Sequence, residues 1–148
     1  MKCKIIFLFL LLSHSGTIKA QQGNNQMKIA AEKGNGSISL PVTVLVDGGT
    51  SGPAEVFASA LSGNKRAELI GEHTVGRTGV QELVKLPDGS GLWISSSRYL
   101  TPGGVQLLAK GIEPDVTVDQ PQPDFGGAAL PDAILQKAIE RLSVKKAA

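Results

Sequence analysis

Residues 47–81 gather the side chains that could do chemistry. Thr50 and Ser51 stand on a turn with Gly48, Gly49 and Gly52, followed by Glu55, His73, Arg77 and Gln81. A glycine-rich turn from a strand into a helix is a recurring way to present a nucleophile. The turn exposes one side chain, and the positive helix end stabilises the negative charge of an acyl-transfer intermediate. Many α/β proteins use the same turn only to pack a helix on a sheet, so the side chains must decide. Arginine stays protonated, with a pKa above about 12, and Arg77 is no general base; its planar fork suits a carboxylate or another anion. Ser51 reads either as a nucleophile or as a turn or helix-capping hydroxyl, and His73 either as its base or as a solvated loop histidine.

Several elements must position this segment. Residues 39–46 are apolar and β-branched, too short for a helix, and end at Asp47, Gly48 and Gly49, which predicts a buried strand and then a sharp turn. Pro53 is suited to a first helical position and Glu55 to the first turn. A helix is expected from Pro53 to about Ser62, with Val56, Phe57, Ala60 and Leu61 as its apolar stripe and Gly63 and Asn64 as its stop. Residues 67–71 read as a strand, and 80–86 with 92–99 as a hairpin turned at 87–91. Pro102, Gly103 and Gly104 mark a loop, and 116–118 a short strand. Residues 119–130 form a Pro/Gly-rich connector, and 131–148 a C-terminal amphipathic helix with Ile134, Leu135, Ala138, Ile139 and Leu142 on its apolar face.

The N-terminal residues carry a different signal. Lys2 and Lys4 precede an unbroken apolar run over 5–12, and Ile18, Lys19 and Ala20 offer a cleavage end, so residues 1–20 read as a secretory signal peptide. The run falls short of the roughly 20 residues of a membrane span, so no stable span is expected. The chain is then exported, to a periplasm or the medium, or stays membrane-anchored if the signal is not cleaved. Residues 21–37 show no periodicity and read as a flexible leader.

Processing after Ala20 would remove the single cysteine, Cys3, and leave His73 as the sole histidine, which excludes disulfides, thiol catalysis and a Cys/His metal site. It would also remove Lys2, Lys4 and Lys19, leaving twelve basic against thirteen acidic residues. With one Trp, one Tyr and no basic run, the chain lacks the footprint of a nucleic-acid binder. No cofactor is implied.

Three blocks of sequence resemble the tail-specific, or carboxy-terminal processing, serine peptidases. Their segments read roughly VNGGSASASEI, then GRAxLVGExTFGKGxVQ, then YxTPxGxxIxGxGIxPD. This chain matches them over 41–118, with Gly48 and Gly49, Ala54 and Glu55, RAELIGEHTVGRTGVQ at 66–81 and YLTPGGVQLLAKGIEPD at 99–115. The resemblance implies an α/β fold: a mixed β-sheet with packed helices, related to the ClpP/crotonase-like superfold, here as a partial peptidase core over 38–118. In the family a serine attacks the scissile carbonyl, a lysine takes its proton, and a glutamine four residues later assists.

Carried over by position, the nucleophile falls on Gly52 and the base on Arg77, while Gln81 is retained. Glycine has no nucleophilic atom and arginine no free lone pair at neutral pH, so the dyad mechanism is lost. Ser51 is offset by one residue and would still need a base. On this resemblance no counterpart is expected before residue 41 for the family's peptide-binding PDZ domain or for the first part of its core, with the glycine that helps form the oxyanion hole. The expectation is therefore an exported, truncated pseudoenzyme that binds extended polypeptides, with an open sheet edge that another chain could complete. Two alternatives stay open: an endopeptidase active through Ser51 or by assembly with a separate first half of the core, and a relic without function.

Overall fold

The computed structural model describes residues 17–30, 40–121 and 131–147. Residues 1–16, 31–39, 122–130 and 148 lie outside it. With them lie the basic and apolar start of the expected signal, the second half of the expected leader and most of the expected connector.

The first described segment is a hairpin of β1 (Thr17–Gln22) and β2 (Asn25–Ala30), paired antiparallel from Thr17 opposite Ala30 to Gln22 opposite Asn25. This corrects the flexible leader expected from Gln21. Cleavage after Ala20 would cut β1 in its middle and remove Ile18, which packs in the main core. The signal overlooked in the sequence is the turn: Gly23 and Asn24 form a two-residue loop of a type that closes hairpins, with Gly23 at φ 56°. Ile18 and Ala20 alternate inward on β1, whereas every residue of β2 is exposed, so the polar composition here reflects a solvated edge strand.

The strand expected at 39–46 is β3 (Val42–Val46), and the helix expected from Pro53 is α1 (Pro53–Gly63). Then come β4 (Ala67–Gly71), β5 (Gly79–Lys85), β6 (Gly91–Leu100), a two-residue β7 (Val116–Thr117) and α2 (Ala133–Ala147). They form two sheets. One is parallel, in the order β3-β4-β7, and the other antiparallel, in the order β2-β1-β6-β5. The fold is α/β, with its parallel and antiparallel strands separated into the two sheets.

Helix α1 buries Val56, Ala58 and Ala60 in a core that also takes Ile18, Val46, Leu69, Leu107 and Ile112, so this cluster joins both sheets. Phe57, expected on the buried stripe, is 44% exposed. The second helix buries Ile134 and Ala138 against Ile70, with Val116 and Val118 beside them, and Arg141 is hydrogen-bonded to Glu68 on β4. Its buried stripe is narrower than expected, because Leu135 and Ile139 face solvent.

Two close backbone approaches hold the parallel layer together. At Gly71, φ 138°, a Cβ would lie 1.8 Å from the Val46 carbonyl oxygen, and at Gly111 one would lie 2.3 Å from the Thr74 carbonyl oxygen. Only glycine fits where chains pass this closely. The first contact sets β4 against the end of β3, and the second presses the 109–112 loop onto the loop that carries Arg77.

Candidate functional site

The turn between β3 and α1 is built by its own polar groups. The Asp47 backbone N-H donates to Thr50 Oγ1 at 3.0 Å, and that hydroxyl donates to Asp47 Oδ1 at 2.7 Å. The Thr50 hydroxyl is the main cause of an Asp47 carboxyl held below the usual carboxylate range. At the end of this turn Gly52 is the N-cap of α1, with φ 62° and ψ −128°. A side chain at Gly52 would meet ordinary contact, its Cβ 3.6 Å from the Arg77 carbonyl oxygen, but in a backbone conformation that L residues rarely adopt.

Glu55 joins the two halves of the site. It is fully buried, and its Oε2 accepts the backbone N-H of Gly52 at 3.0 Å and that of Arg77 at 2.9 Å. Its Oε1 accepts the Gly76 N-H at 2.6 Å and the Thr74 hydroxyl, and Thr74 Oγ1 in turn accepts the Ile112 N-H at 2.9 Å. One carboxylate thus ties the turn at 52 to the loop at 74–77, and through Thr74 to the 109–112 loop. In the sequence Glu55 read only as a first-turn acid. Its spacing from the N-cap, three residues on, was the available sign that it would reach back to the N-cap N-H.

A cavity of about 290 Å³ opens between these halves, lined by Gly52, Pro53, Val56, Arg77, Thr78, Gly79, Val80 and Tyr99. Gly52 and Arg77, 25 residues apart in sequence, share its wall. Thr78 is 2% exposed and its Oγ1 has no hydrogen-bond partner. Arg77 is exposed, and among the described residues its guanidinium makes no ion pair.

The remaining expected site residues lie elsewhere. Gln81 is exposed on β5 beside an irregularity in the ladder between Val80 and Gln81, and is not part of the cavity wall. Ser51 is also exposed and outside the wall; the helix cap is Gly52, which corrects the reading of Ser51 as a capping hydroxyl. His73 is half-exposed and sits 3.8 Å from Glu113 Oε2, away from the cavity. Among the described residues no hydrogen bond joins Ser51 to His73.

The profile of peptidase family S41 matches residues 3–118. The chain belongs to this family. The carboxyl-terminal-processing protease of Synechocystis sp. is 37% identical over 111 residues, which cover 74% of this chain and 26% of that protein. The chloroplastic C-terminal processing peptidase of Tetradesmus obliquus is 44% identical over 81 residues, 55% of this chain and 18% of that protein. Among solved structures, the photosystem II D1 C-terminal processing protease superposes with a TM-score of 0.67 and 34% identity, over 74% of this chain and 28% of that one.

The chain therefore spans about a quarter of the length of such relatives. The family match begins at residue 3, so it takes in the apolar run at 5–12 together with β1 and β2. Among the described residues no helix is long and apolar enough to cross a membrane. With family membership established, the chemistry at Gly52 and Arg77 becomes the open question.

Proposed function

We propose that this chain is a non-hydrolysing member of the S41 family that holds extended polypeptide at the vacated dyad. The supporting observation is the shared cavity wall. Gly52 and Arg77 occupy the positions where family resemblance puts nucleophile and base, in a loop arrangement braced by Glu55. A cavity with the frame of an active site but no nucleophilic atom can bind without turning over.

The test follows both properties of the purified chain with an unstructured polypeptide. Binding without cleavage is expected, and cleavage that disappears in Ser51→Ala would overturn the reading. The double variant Gly52→Ser with Arg77→Lys asks whether the dyad alone is missing. Any gain of turnover in it over the parent shows a frame still competent for chemistry, which strengthens the reading.

A second reading is assembly with another chain that completes the sheet and supplies catalytic groups. It is favoured by the β3 edge, which has no neighbour among the described residues, and by the exposed Leu45 on that strand. Sedimentation of the chain alone and with candidate partners separates the two readings. A relic without function predicts neither binding nor assembly.

Export belongs to the proposal in a constrained form. The Lys2, Lys4 and 5–12 pattern supports targeting, but processing must leave β1 whole and so occur before Thr17. The family match from residue 3 supports the other assignment, in which the same apolar run belongs to the peptidase core. The intact mass of the chain recovered from its native compartment decides between them.

A further inference from the structure

We infer that the outer edge of β5 is a self-association surface, on which a second copy of this chain adds its own β5, antiparallel, about a two-fold axis at Leu83. Strand β5 ends its sheet, and β6 is paired with β1 only at 98–100, so the outer part of the β5–β6 ribbon is two strands wide. It carries Leu83, Val84, Leu86, Leu92, Trp93 and Ile94, each 39–64% exposed and divided by strand alternation between its two faces. Two strands alone are marginally stable in water, and an exposed apolar patch of several hundred Å² marks an interaction surface. A partner that adds strands answers both conditions. The β6 side of the ribbon is the less open one, because Gln21 and Gly23 of the β1–β2 hairpin border a cavity with Ser95, Ser96 and Ser97.

The hydrogen-bond phase of the ribbon fixes the register. Beside the turn the Leu86 N-H donates to the Ser90 carbonyl oxygen at 2.8 Å, so the pairs Val84–Leu92 and Glu82–Ile94 exchange the bonds inside the ribbon. The backbone groups of Gln81, Leu83 and Lys85 then point outward, where no strand meets them among the described residues. The irregularity between Val80 and Gln81 ends this straight edge on one side and the turn after Lys85 ends it on the other, which leaves Leu83 at its centre. A two-fold there sets Leu83 opposite Leu83 of the second copy and Gln81 opposite Lys85 of that copy, each pair exchanging two backbone bonds. An axis at Glu82 or at Val84 loses one of these pairs, and at Glu82 it also sets two carboxylates opposite each other. With the axis at Leu83, Trp93 and Leu83 of one copy and Leu83 and Trp93 of the other form a single apolar row across four strands.

The test is analytical sedimentation of the full chain in a Cys3→Ser background, beside Leu83→Lys and Leu45→Lys in the same background. The parent is expected to be a dimer at micromolar concentration. Leu83→Lys sets two cations opposite each other at the axis and should weaken the dimer about tenfold or more. It should keep the thermal transition of the single chain, in which residue 83 is exposed. Leu45→Lys, on the β3 edge, should leave the dimer intact. Air oxidation reads the register. Leu83→Cys should link two chains, since the paired Cα atoms would stand about 5.5 Å apart, whereas Lys85→Cys, opposite Gln81 and not itself, should stay unlinked. A monomeric parent, or a dimer that Leu83→Lys leaves unchanged, overturns the inference, whichever other surface associates. Equal linking of both cysteine variants overturns the two-fold at Leu83.

Discussion

The parallel layer and the β5–β6 ribbon obey opposite rules. Around β3, β4 and α1 the backbone is locked: strand ends touch at Gly71, loops touch at Gly111, and Glu55 gathers four donors on one buried carboxylate. Along β5 and β6 the large apolar residues Leu83, Val84, Leu92, Trp93 and Ile94 all face solvent, and the hairpin turn at Gly89 has nothing within 4 Å of where a Cβ would stand. The contrast separates two things the family shares. The frame that sets positions 52 and 77 is held by close contacts and buried hydrogen bonds, and on the reading proposed above it carries no reacting pair.

The contrast can be broken most severely by a methyl group. Gly71→Ala places a Cβ 1.8 Å from the Val46 carbonyl oxygen, so β3 and β4 must separate; a loss of about 4 kcal/mol or more is expected, a large part of the stability of a domain this size. The same substitution at Gly89 meets open space and only the strain of φ 85°, which costs about 1 kcal/mol. Urea unfolding of the two variants measures the difference, and similar losses would mean that the parallel layer is not locked as described.

Next in size is Glu55→Ala. It leaves the Gly52, Gly76 and Arg77 N-H groups and the Thr74 hydroxyl without their acceptor, and because a buried unpaired donor costs about 1–3 kcal/mol, a net loss of about 3 kcal/mol remains after water enters. Hydrogen exchange gives the finer answer: the amides of 52, 76 and 77 should lose protection together, while those of β5 and β6 keep theirs. Loss of protection spread evenly over both regions would sink the claim that Glu55 braces the site.

The same two regions explain what was legible in the sequence. Strand β3, helix α1 and the β5–β6 hairpin follow from short-range signals, namely a β-branched run, Pro53 with Glu55, and a Pro-Asp-Gly turn. Family spacing singled out Gly52 and Arg77 even though their residue types differ from the family's, and the two share one cavity wall. The role of Glu55 could not, since its partners lie about twenty residues on and meet it only through the fold. The β1–β2 hairpin was hidden for another reason. Ile18 and Ala20 are its whole buried face, and two inward residues in a polar stretch give too little period to outweigh the resemblance to a cleavage site.

The smallest expected effect concerns the outer end of the locked turn, and its sign is fixed by linkage. Thr50 donates to Asp47 Oδ1 at 2.7 Å, and chiefly for that reason the Asp47 carboxyl titrates below its ordinary value of 3.8 in the folded chain. A carboxyl lowered on folding contributes stability above its unfolded pKa and loses it as pH falls through the folded one. Thr50→Val removes the donor, so the variant should melt lower than the parent at pH 7, by less than about 1 kcal/mol because the carboxylate is solvent-screened. The gap should narrow as pH falls below 3.8, leaving the part owed to the Asp47 N-H bond to Thr50 Oγ1. Thermal scans of both chains at neutral and acid pH read this directly. A gap that persists unchanged in acid would assign the turn's stability to the Asp47 N-H bond to Thr50 Oγ1 instead of to the Asp47 charge.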